Sequence, residues 1–569
     1  MRHMRIATVF WSCSLAALGL GCRPGSSISL PSEVRDGSPW FRDVTRERGL
    51  DFVHDAGSPG AYFLPQLMGS GAALFDFNGD GHLDIYLLQN GGPQSGSVNR
   101  LYQQMDDGHF KDVSKGSGLD IAGYNMGVAV GDINNDGWPD LLVTQYGGVK
   151  LFLNNGNGTF RDITREAGLD NPLWGASAVF FDYDRDGWLD LVLVNYLDYS
   201  PSRQCGGAGG TRDYCNPNEF AGTVTRLFHN RGIPAGAKAR AVRFDDATAS
   251  SGLARKAGPG LGVLCADFNG DGWPDIFVTN DGRPNHLWIN QKDSTFREEA
   301  LSRGLAFNGM GNAPANMGIA LGDVDGDNLF DVFVTHLTSE THALWRQGPR
   351  GLFLDRAAAA GLAGADCRGT GFGTILEDFN GDGALDLAIA NGRVIRAKAS
   401  AAASPDRFWE PYAEPNHLFA GDGAGHFRNL THENTPFCGT AGVFRGLACG
   451  DVDGDGAVDL LVTQVAGPAR LFRNVVSPRG HWLGIRVFDP ALKRDAYGAE
   501  VTVQTTSGRQ RRWVNAGASY LCSHDPRISF GLGTASRVES IQVRWPDGKE
   551  EIFAGRAADQ WITLRKGGG

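Results

Sequence analysis

The chain has 569 residues, 80 of them glycine, with 21% charged residues and a formal net charge of -11. Many glycines and few charges favour short strands and tight turns, and they exclude a helical bundle or a disordered acidic chain. The acidic balance argues against a nucleic-acid partner. No stretch after the N-terminus approaches the roughly 18 continuous apolar residues that would span a bilayer.

Residues 1–22 predict an export signal. Arg2 and Arg5 precede an apolar run, residues 6–20, and Cys22 follows it closely. We expect a signal of the bacterial lipoprotein type with Cys22 as the lipidated residue, and residues 23–39 as a tether. Simple cleavage just before the cysteine, followed by secretion, is the alternative. The predicted location is therefore a cell-surface or outer-membrane lipoprotein, or otherwise the periplasm or the exterior.

Seven acidic loops organise the rest of the chain. In the second, residues 132–140, oxygen-bearing side chains stand at positions 1, 3, 5 and 9 and glycine stands at position 6. Alternate oxygens turn inward in such a loop, and glycine permits the sharp bend that brings them around a hard cation. We number the loops in chain order: loop 1, 76–84; loop 2, 132–140; loop 3, 182–190; loop 4, 267–275; loop 5, 323–331; loop 6, 378–386; loop 7, 451–459.

These four positions are the candidate metal ligands. In loops 1 to 4 they are Asp76, Asn78, Asp80, Asp84; Asp132, Asn134, Asp136, Asp140; Asp182, Asp184, Asp186, Asp190; Asp267, Asn269, Asp271, Asp275. In loops 5 to 7 they are Asp323, Asp325, Asp327, Asp331; Asp378, Asn380, Asp382, Asp386; Asp451, Asp453, Asp455, Asp459. Only loop 5 lacks glycine at position 6, and Asn328 there is the residue that best tolerates the left-handed conformation after glycine. The loops are not EF-hands, because position 12 is apolar and the flanks alternate like strands.

The spacing of the loops predicts a propeller. Loop starts lie 56, 50, 85, 56, 55 and 73 residues apart, a period of about 50–55 residues with two insertions. Each repeat reads as four strands, the number in one propeller blade. The last repeat lacks its fourth strand, and residues 40–50 are an orphan copy of it. We therefore predict an all-β, seven-bladed β-propeller over residues 40–475, closed by its N-terminal strand.

The loops and flanking strands resemble FG-GAP/VCBS repeats, the units of the integrin α-subunit propeller. The resemblance implies calcium at each of the seven loops, up to seven ions, with the backbone carbonyl at position 7 as a further ligand. Calcium is then expected to be mainly structural, because the grouped carboxylates of each loop repel one another without a cation.

Two insertions are predicted on the face away from the metal loops, at about 195–225 in the third repeat and 391–417 in the sixth. They are either surface elaboration or a rim that binds a protein or a glycan. Cys205 and Cys215 close a short glycine-rich loop in the first insertion, which predicts a disulfide in an exported protein. Cys265 and Cys449 occupy a hydrophobic core position of the repeat.

Residues 477–566 predict a small β-rich domain after the propeller. The segments "HWLGIRV", "SYLCSHDPRISFGLG" and "VESIQVRWPDGKEE" carry a resemblance to the ASPIC/UnbV domain, which follows such a propeller in the cartilage acidic protein family. Because the biochemical role of that domain is poorly defined, the resemblance implies an architecture and not an activity.

The sequence favours a non-enzymatic, exported scaffold that binds an extracellular or periplasmic protein or a glycan. Motifs for a serine nucleophile, a phosphate loop or a zinc protease are missing. A carbohydrate-active enzyme that uses the propeller funnel is one alternative, since acid and base could come from different blades. A periplasmic assembly or maturation factor is another. We assign no catalytic residue.

Overall fold

The computed structural model describes residues 38–206, 212–233, 242–349, 351–397 and 407–569. The predicted signal, Cys22 and nearly all of the tether lie outside the described residues. The described part is an all-β structure in which residues 38–569 form one compact unit. Among the described residues, no helix has both the length and the apolar character needed to cross a membrane.

Seven four-stranded antiparallel sheets account for the repeats. We number them as the loops are numbered. Sheets 1 to 3 comprise Ala72–Phe75, Asp84–Leu87, Arg100–Gln104, Phe110–Asp112; Asn125–Gly131, Asp140–Gln145, Gly148–Asn154, Phe160–Asp162; Gly175–Phe181, Asp190–Asn195, Arg226–Asn230, Phe244–Asp246. Sheets 4 to 6 comprise Gly260–Ala266, Asp275–Asn280, His286–Asn290, Phe296–Glu298; Ile319–Gly322, Asp331–Val334, Ala343–Gly348, Leu352–Asp355; Gly371–Glu377, Asp386–Asn391, His417–Gly421, Phe427–Asn429.

Sheet 7 is completed by the start of the described chain. Its strands are Phe444–Gly450, Asp459–Gln464, Arg470–Asn474 and, at the outer edge, Phe41–Asp43. Phe41 pairs with Asn474 in antiparallel register, as the orphan strand predicted. The first strand of each sheet contacts the first strand of the next, and that of sheet 7 contacts that of sheet 1. The seven sheets therefore form a closed ring, and alternating apolar residues between neighbouring sheets form its core.

Each metal loop joins the first and second strands of its sheet, so all seven loops lie on one face of the ring. Short helices occur only as connections in the described part: Leu64–Met68, Ala300–Arg303 and Thr435–Cys438, with 3-10 turns Pro217–Glu219, Leu253–Arg255, Ala365–Cys367 and Glu410–Tyr412. Two small pairs of strands, Cys205–Gly206 with Arg212–Asp213 and Thr223–Val224 with Ala257–Gly258, lie near the first insertion.

The C-terminal segment forms two further sheets. One contains His481–Asp489, Arg494–Asp495, Ile528–Gly533 and Gln560–Arg565; the other contains Gly508–Trp513, Glu500–Thr505, Ser540–Arg544 and Glu550–Ala554. Their apolar faces share a core that includes Ile485, Val501, Phe530 and Val543. A hairpin between the sheets, residues 514–525, leaves this core; its two strands, Gly517–Ala518 and Cys522–Ser523, join the edge of sheet 1. We call it the axial hairpin.

Candidate metal centres and the surfaces around them

The metal loops share one backbone geometry, which loop 2 illustrates. Asp132 accepts hydrogen bonds from the backbone N–H groups of Asp136 (3.1 Å) and Gly137 (2.8 Å). Asn134 Oδ1 accepts from the N–H of Asp136 at 3.0 Å, and Asp136 Oδ1 accepts from the N–H of Trp138 at 3.1 Å. These bonds wrap the backbone around the side chains and direct the oxygens of positions 1, 3 and 5 toward the inside of the loop.

The position 6 residue needs a left-handed backbone in every loop. Gly137 has φ of 97°, and Asn328 in loop 5 has φ of 66°. The Asn328 N–H donates to Asp323 Oδ2 at 2.9 Å, as the Gly137 N–H does to Asp132. Loop 5 thus closes in the same way without glycine.

The position 9 aspartate anchors each loop to the sheet beneath it. Asp140 is completely buried, and it accepts hydrogen bonds from the N–H of Ile133 (3.1 Å) and from the N–H of Asn154 in the third strand (2.8 Å). Burial raises the pKa of Asp140 well above its usual range, and it raises the pKa of Asp84 in loop 1 to about 8. Burial thus favours the neutral form of these carboxylates, and a cation inside the loop would favour the ionised form.

In three loops the carboxylates themselves converge. Ligand oxygens lie within 4.8 Å of one another in these groups: Asp182, Asp184 and Asp186; Asp323, Asp325 and Asp331; Asp451, Asp453 and Asp459. In the other four loops, position 3 is asparagine, and its amide Nδ2 donates to Oδ2 of the position 5 aspartate, at 3.0 Å in loop 2. The structure thus brings the predicted positions together within each loop.

The donor set fits a hard divalent cation. Asp453 Oδ1 is buried and has no hydrogen-bond partner, although it lies in a group with Asp451 and Asp459. A buried carboxylate oxygen is rarely left unpaired, because its desolvation is then uncompensated. Three carboxylates and a backbone carbonyl are oxygen ligands of the kind that calcium prefers. These residues would hold the ion, which would neutralise their mutual repulsion.

The C-terminal domain lies on the metal-loop face and contacts the loops directly. Arg494 donates to Asn135 Oδ1 in loop 2 (2.9 Å) and to the Gly187 carbonyl in loop 3 (3.2 Å). Arg544 Nη1 donates to Asp267 Oδ2 in loop 4 at 3.3 Å. No local pattern in the chain relates these arginines to loops some 300 residues away, so this interface could not be predicted from the sequence.

A cavity of about 600 Å³ remains between loops 1 and 2 and the C-terminal domain. Acidic, basic and aromatic side chains line it, among them Asp76, Asp132, Arg486, Tyr497, Arg527 and Trp561. Several of the charges already pair: Arg486 Nε contacts Asp495 Oδ1 at 2.6 Å. The cavity therefore gives solvent a path to loops 1 and 2 beneath the domain.

The axial hairpin fills the centre of the ring. Ser519 pairs with Ile319 in sheet 5, and its hydroxyl accepts from the N–H of Thr374 in sheet 6 at 3.0 Å. Leu521 accepts through its carbonyl from Val128 of sheet 2 at 3.1 Å. The Tyr520 hydroxyl reaches the Met68 carbonyl at 3.2 Å on the far side. Acid and base groups of an enzyme in the funnel would need the space that this hairpin occupies.

A repeated small residue makes room for the hairpin. The first strands carry glycine or serine at one shared register: Gly71, Gly127, Ser177, Gly262, Gly318, Gly373 and Gly446. A Cβ atom at Gly71 would lie 1.8 Å from the Leu521 carbonyl oxygen. This register was a sequence signal for an occupied axis, and the sequence analysis did not use it.

The two insertions meet on the opposite face. The Tyr412 hydroxyl donates to Asp213 Oδ1 at 2.6 Å, and the rings of Tyr214 and Trp409 stack with centroids 6.3 Å apart. Cys205 and Cys215 form the predicted disulfide in the first insertion. Cys265, Cys367, Cys438 and Cys522 are buried and free, and Cys449 is free and partly buried.

A belt of aromatic rings, one buried (Tyr199) and four partly buried, continues this surface. Phe63 contacts the rings of Tyr124 (4.8 Å), Tyr146 (5.1 Å) and Tyr199 (5.8 Å), and Tyr199 contacts Phe220 at 5.0 Å. We call these five residues the aromatic belt. In contrast, Trp138 at position 7 of loop 2 packs against Gly79 and Gly156 of the ring.

Family models and known relatives agree with this architecture. The FG-GAP-like repeat matches residues 76–143, 132–193, 267–334 and 378–462, and the ASPIC and UnbV domain matches residues 489–569. Cartilage acidic protein 1 of Mus musculus is 29% identical over 326 residues, which are 53% of this chain and 44% of that protein. The Homo sapiens protein is 28% identical over 326 residues, 53% of this chain and 43% of that protein. The chain thus covers less than half the length of these relatives.

Solved structures with similar folds are distant in sequence. A structure of YCF48 bound to D1 peptide is 8% identical, with a TM-score of 0.41, over 78% of this chain and 99% of the other. An Agrocybe aegerita lectin that recognises non-reducing terminal N-acetylglucosamine is 14% identical, with a TM-score of 0.36, over 71% of this chain and 94% of the other.

The closed ring of sheets with an acidic loop in each repeat defines a β-propeller of metal-loop repeats. The chain belongs to the FG-GAP-repeat proteins that carry a C-terminal ASPIC/UnbV domain, and it has homologues among the cartilage acidic proteins. An FG-GAP propeller fold suggests a binding or adhesion scaffold.

Proposed function

We propose that the protein is an exported, non-enzymatic scaffold in which calcium holds the seven loops and an extracellular or periplasmic protein or glycan binds elsewhere. FG-GAP-repeat proteins are typically extracellular, and the N-terminal sequence is typical of export, with Cys22 as the lipid anchor. The observation that carries the calcium proposal is the buried, unpartnered Asp453 Oδ1 beside Asp451 and Asp459.

The partner is proposed to bind the face away from the loops. The C-terminal domain covers the loop face through Arg494, Arg544 and Trp561, and the axial hairpin fills the centre. The opposite face presents the aromatic belt and both insertions, fixed by the disulfide. Partly exposed tyrosine and phenylalanine rings supply contact area for a sugar ring or a protein side chain at a small loss of conformational entropy.

A binding screen tests this proposal. The mature chain in 1 mM calcium would be applied to glycan and extracellular-protein arrays, beside Phe63→Ala and the matched control Leu352→Ala. Leu352 is 51% exposed on the outer strand of sheet 5, away from the belt. We expect a hit that Phe63→Ala weakens at least tenfold and that Leu352→Ala leaves unchanged. A hit that survives Phe63→Ala would place the partner on another surface.

A further inference from the structure

One position in the third strand of each sheet varies together with position 3 of the metal loop. In every sheet, one third-strand residue donates its backbone N–H to the position 9 aspartate of the loop. The position that varies is the residue directly before that donor. Where position 3 is aspartate, in loops 3, 5 and 7, the strand carries a basic residue: His229, Arg346 and Arg473. Where position 3 is asparagine, in loops 1, 2, 4 and 6, the strand carries a neutral one: Gln103, Leu153, Ile289 and Ala420.

The basic side chains contact the aspartates with which they vary. Arg473 Nε lies 2.5 Å from Asp453 Oδ2, and its Nη2 donates to Asp455 Oδ2 at 3.0 Å. Arg346 forms an ion pair with Asp325 in loop 5. His229 Nδ1 lies 3.5 Å from Asp184 Oδ2 in loop 3.

In loop 7, an arginine makes the hydrogen bond that asparagine makes in the loops of the other type. Asn78 Nδ2 donates to Asp80 Oδ2 at 2.7 Å, and Asn380 Nδ2 donates to Asp382 Oδ2 at 2.9 Å. In loop 7 the position 5 oxygen, Asp455 Oδ2, accepts a hydrogen bond from Arg473 Nη2 instead. An aspartate at position 3 cannot donate when ionised, so in loop 7 the third strand supplies both the missing donor and a balancing charge, and in loop 5 it supplies the charge.

The contact with Arg473 leaves one oxygen of Asp453 without a partner. Loops with asparagine contain three carboxylates. Loops 5 and 7 contain four, and the third strand adds one guanidinium to each. In loop 7, Arg48 also lies 3.6 Å from Asp453 Oδ2, and Arg479 lies 3.4 Å from Asp455 Oδ1. Arg473 contacts Oδ2 of Asp453, while Oδ1 is buried and has no hydrogen-bond partner, and Asp453 lies in a group with Asp451 and Asp459. The Arg473 side chain is 32% exposed and the Asp453 side chain 16%, so the arginine is the more solvent-accessible partner.

We propose that Arg346 and Arg473 are positioning residues that balance the extra aspartate of loops 5 and 7, so that both loops remain open to calcium. The inference rests on the calcium binding proposed above. The competing assignment is that the guanidinium takes the place of the ion and closes these loops to calcium. The two assignments differ in the number of ions that a variant without the arginine would bind.

A double-substitution cycle in loop 7 tests the proposal. Bound calcium per chain is measured by equilibrium dialysis, and melting temperature is measured in calcium and in chelator, for Arg473→Leu, Asp453→Asn and the pair. We expect all three variants to bind the same number of calcium ions per chain as the parent. Arg473→Leu alone should melt lower in chelator, because the four carboxylates lose one of the guanidinium groups that balance them. It should also bind calcium in loop 7 about tenfold more tightly. The double variant should recover the melting temperature of the parent chain in chelator, since it has asparagine at position 3 and a neutral third-strand residue, as loops 1, 2, 4 and 6 do.

A transplant into loop 1 keeps the test decisive if the loop 7 variants fold poorly. Gln103 is partly exposed at the position of Arg473. Asn78→Asp should lower the melting temperature in chelator, and the addition of Gln103→Arg should restore it.

Two outcomes would overturn the proposal: one extra calcium bound by Arg473→Leu, or additive effects in both cycles. If no variant and no parent chain bound calcium, the calcium proposal would fail, and the coupling in chelator would still decide whether the arginine balances the aspartate.

Discussion

The Trp561 indole Nε1 donates a hydrogen bond of 3.0 Å to Oδ2 of Asp451, the first carboxylate of loop 7. This bond joins the last strand of the C-terminal domain to a candidate metal ligand of the propeller. The Arg527 guanidinium covers the other side of the Trp561 ring, 4.6 Å from its centroid. The ASPIC/UnbV domain is thus in direct contact with the loops that calcium is proposed to hold.

Replacing Trp561 by phenylalanine removes the donor and keeps most of the ring. We expect a loss of about 1–2 kcal/mol in the free energy of unfolding, as for other bonds to a charged acceptor. Denaturant titration measures it. Trp482→Phe is the matched control, because Trp482 packs on Gly456 of the same loop without bonding to its carboxylates. Equal losses in both variants would show that ring packing, and not the hydrogen bond, joins the domain to loop 7.

Removal of calcium should destabilise the whole compact unit. A site with a dissociation constant of about 10⁻⁴ M contributes about 1.4 kcal/mol at 1 mM calcium, so seven sites approach roughly 10 kcal/mol. We expect a chelator to lower the melting temperature by about 10 °C or more. Asp132→Ala should remove one site's share, whereas Asp107→Ala, outside the loops, should not. A melting curve that ignores chelator would refute the proposal of seven structural sites.

The axial hairpin leaves no room for a side chain at Gly71. A Cβ atom at this position would lie 1.8 Å from the carbonyl oxygen of Leu521, and a backbone atom cannot move aside as a flexible side chain can. We expect Gly71→Ala to cost about 3 kcal/mol or more, measured by denaturant unfolding, and to expose residues 514–525 to limited proteolysis. Gly309→Ala is the control, since a Cβ there meets Asp355 at an ordinary 3.4 Å. Proteolysis at the same rate in both variants would mean that the hairpin does not depend on this register.

Acid should weaken the ring through buried histidines. His54 Nδ1 accepts a hydrogen bond from the N–H of Ala466 at 3.2 Å, which requires a neutral ring nitrogen. Burial lowers the pKa of His54 to about 4, from 6.5 in the unfolded chain. The unfolded state therefore binds the proton first, and the stability that His54 contributes is present above pH 6.5 and is lost as pH falls toward 4.

The size of this effect follows from the pKa difference, roughly 3 kcal/mol for one histidine. The His54→Asn variant retains an acceptor near the position of Nδ1 but cannot titrate. Between pH 6.5 and 4, the slope of its unfolding free energy against pH should be smaller than that of the parent chain, by up to about one proton taken up on unfolding. Parallel pH profiles for the parent chain and the variant would show that His54 is not linked to folding.

Local chemistry made most of the ring predictable. Asp, Asn and Gly recur at fixed spacing because each loop must bend around its own side chains, and the orphan strand at 40–50 identified the seam. The docking of the C-terminal domain could not be predicted, because Arg494 and Asn135 are brought together only by the closed ring. The contact between Arg473 and Asp453 could not be predicted either, because it depends on the third strand lying beside the loop in the folded sheet.

The seam in sheet 7 also sets an order of assembly. Phe41–Asp43 is the first described strand to be synthesised, yet it cannot pair until Arg470–Asn474 exists. The ring therefore stays open at one edge while six sheets and their loops can already form. The axial hairpin is made later still, so the centre must be filled after, or together with, the sealing of the edge. Such long-range pairing slows folding and leaves edge strands exposed to other chains, so a nascent chain is most vulnerable to aggregation until its last hundred residues arrive.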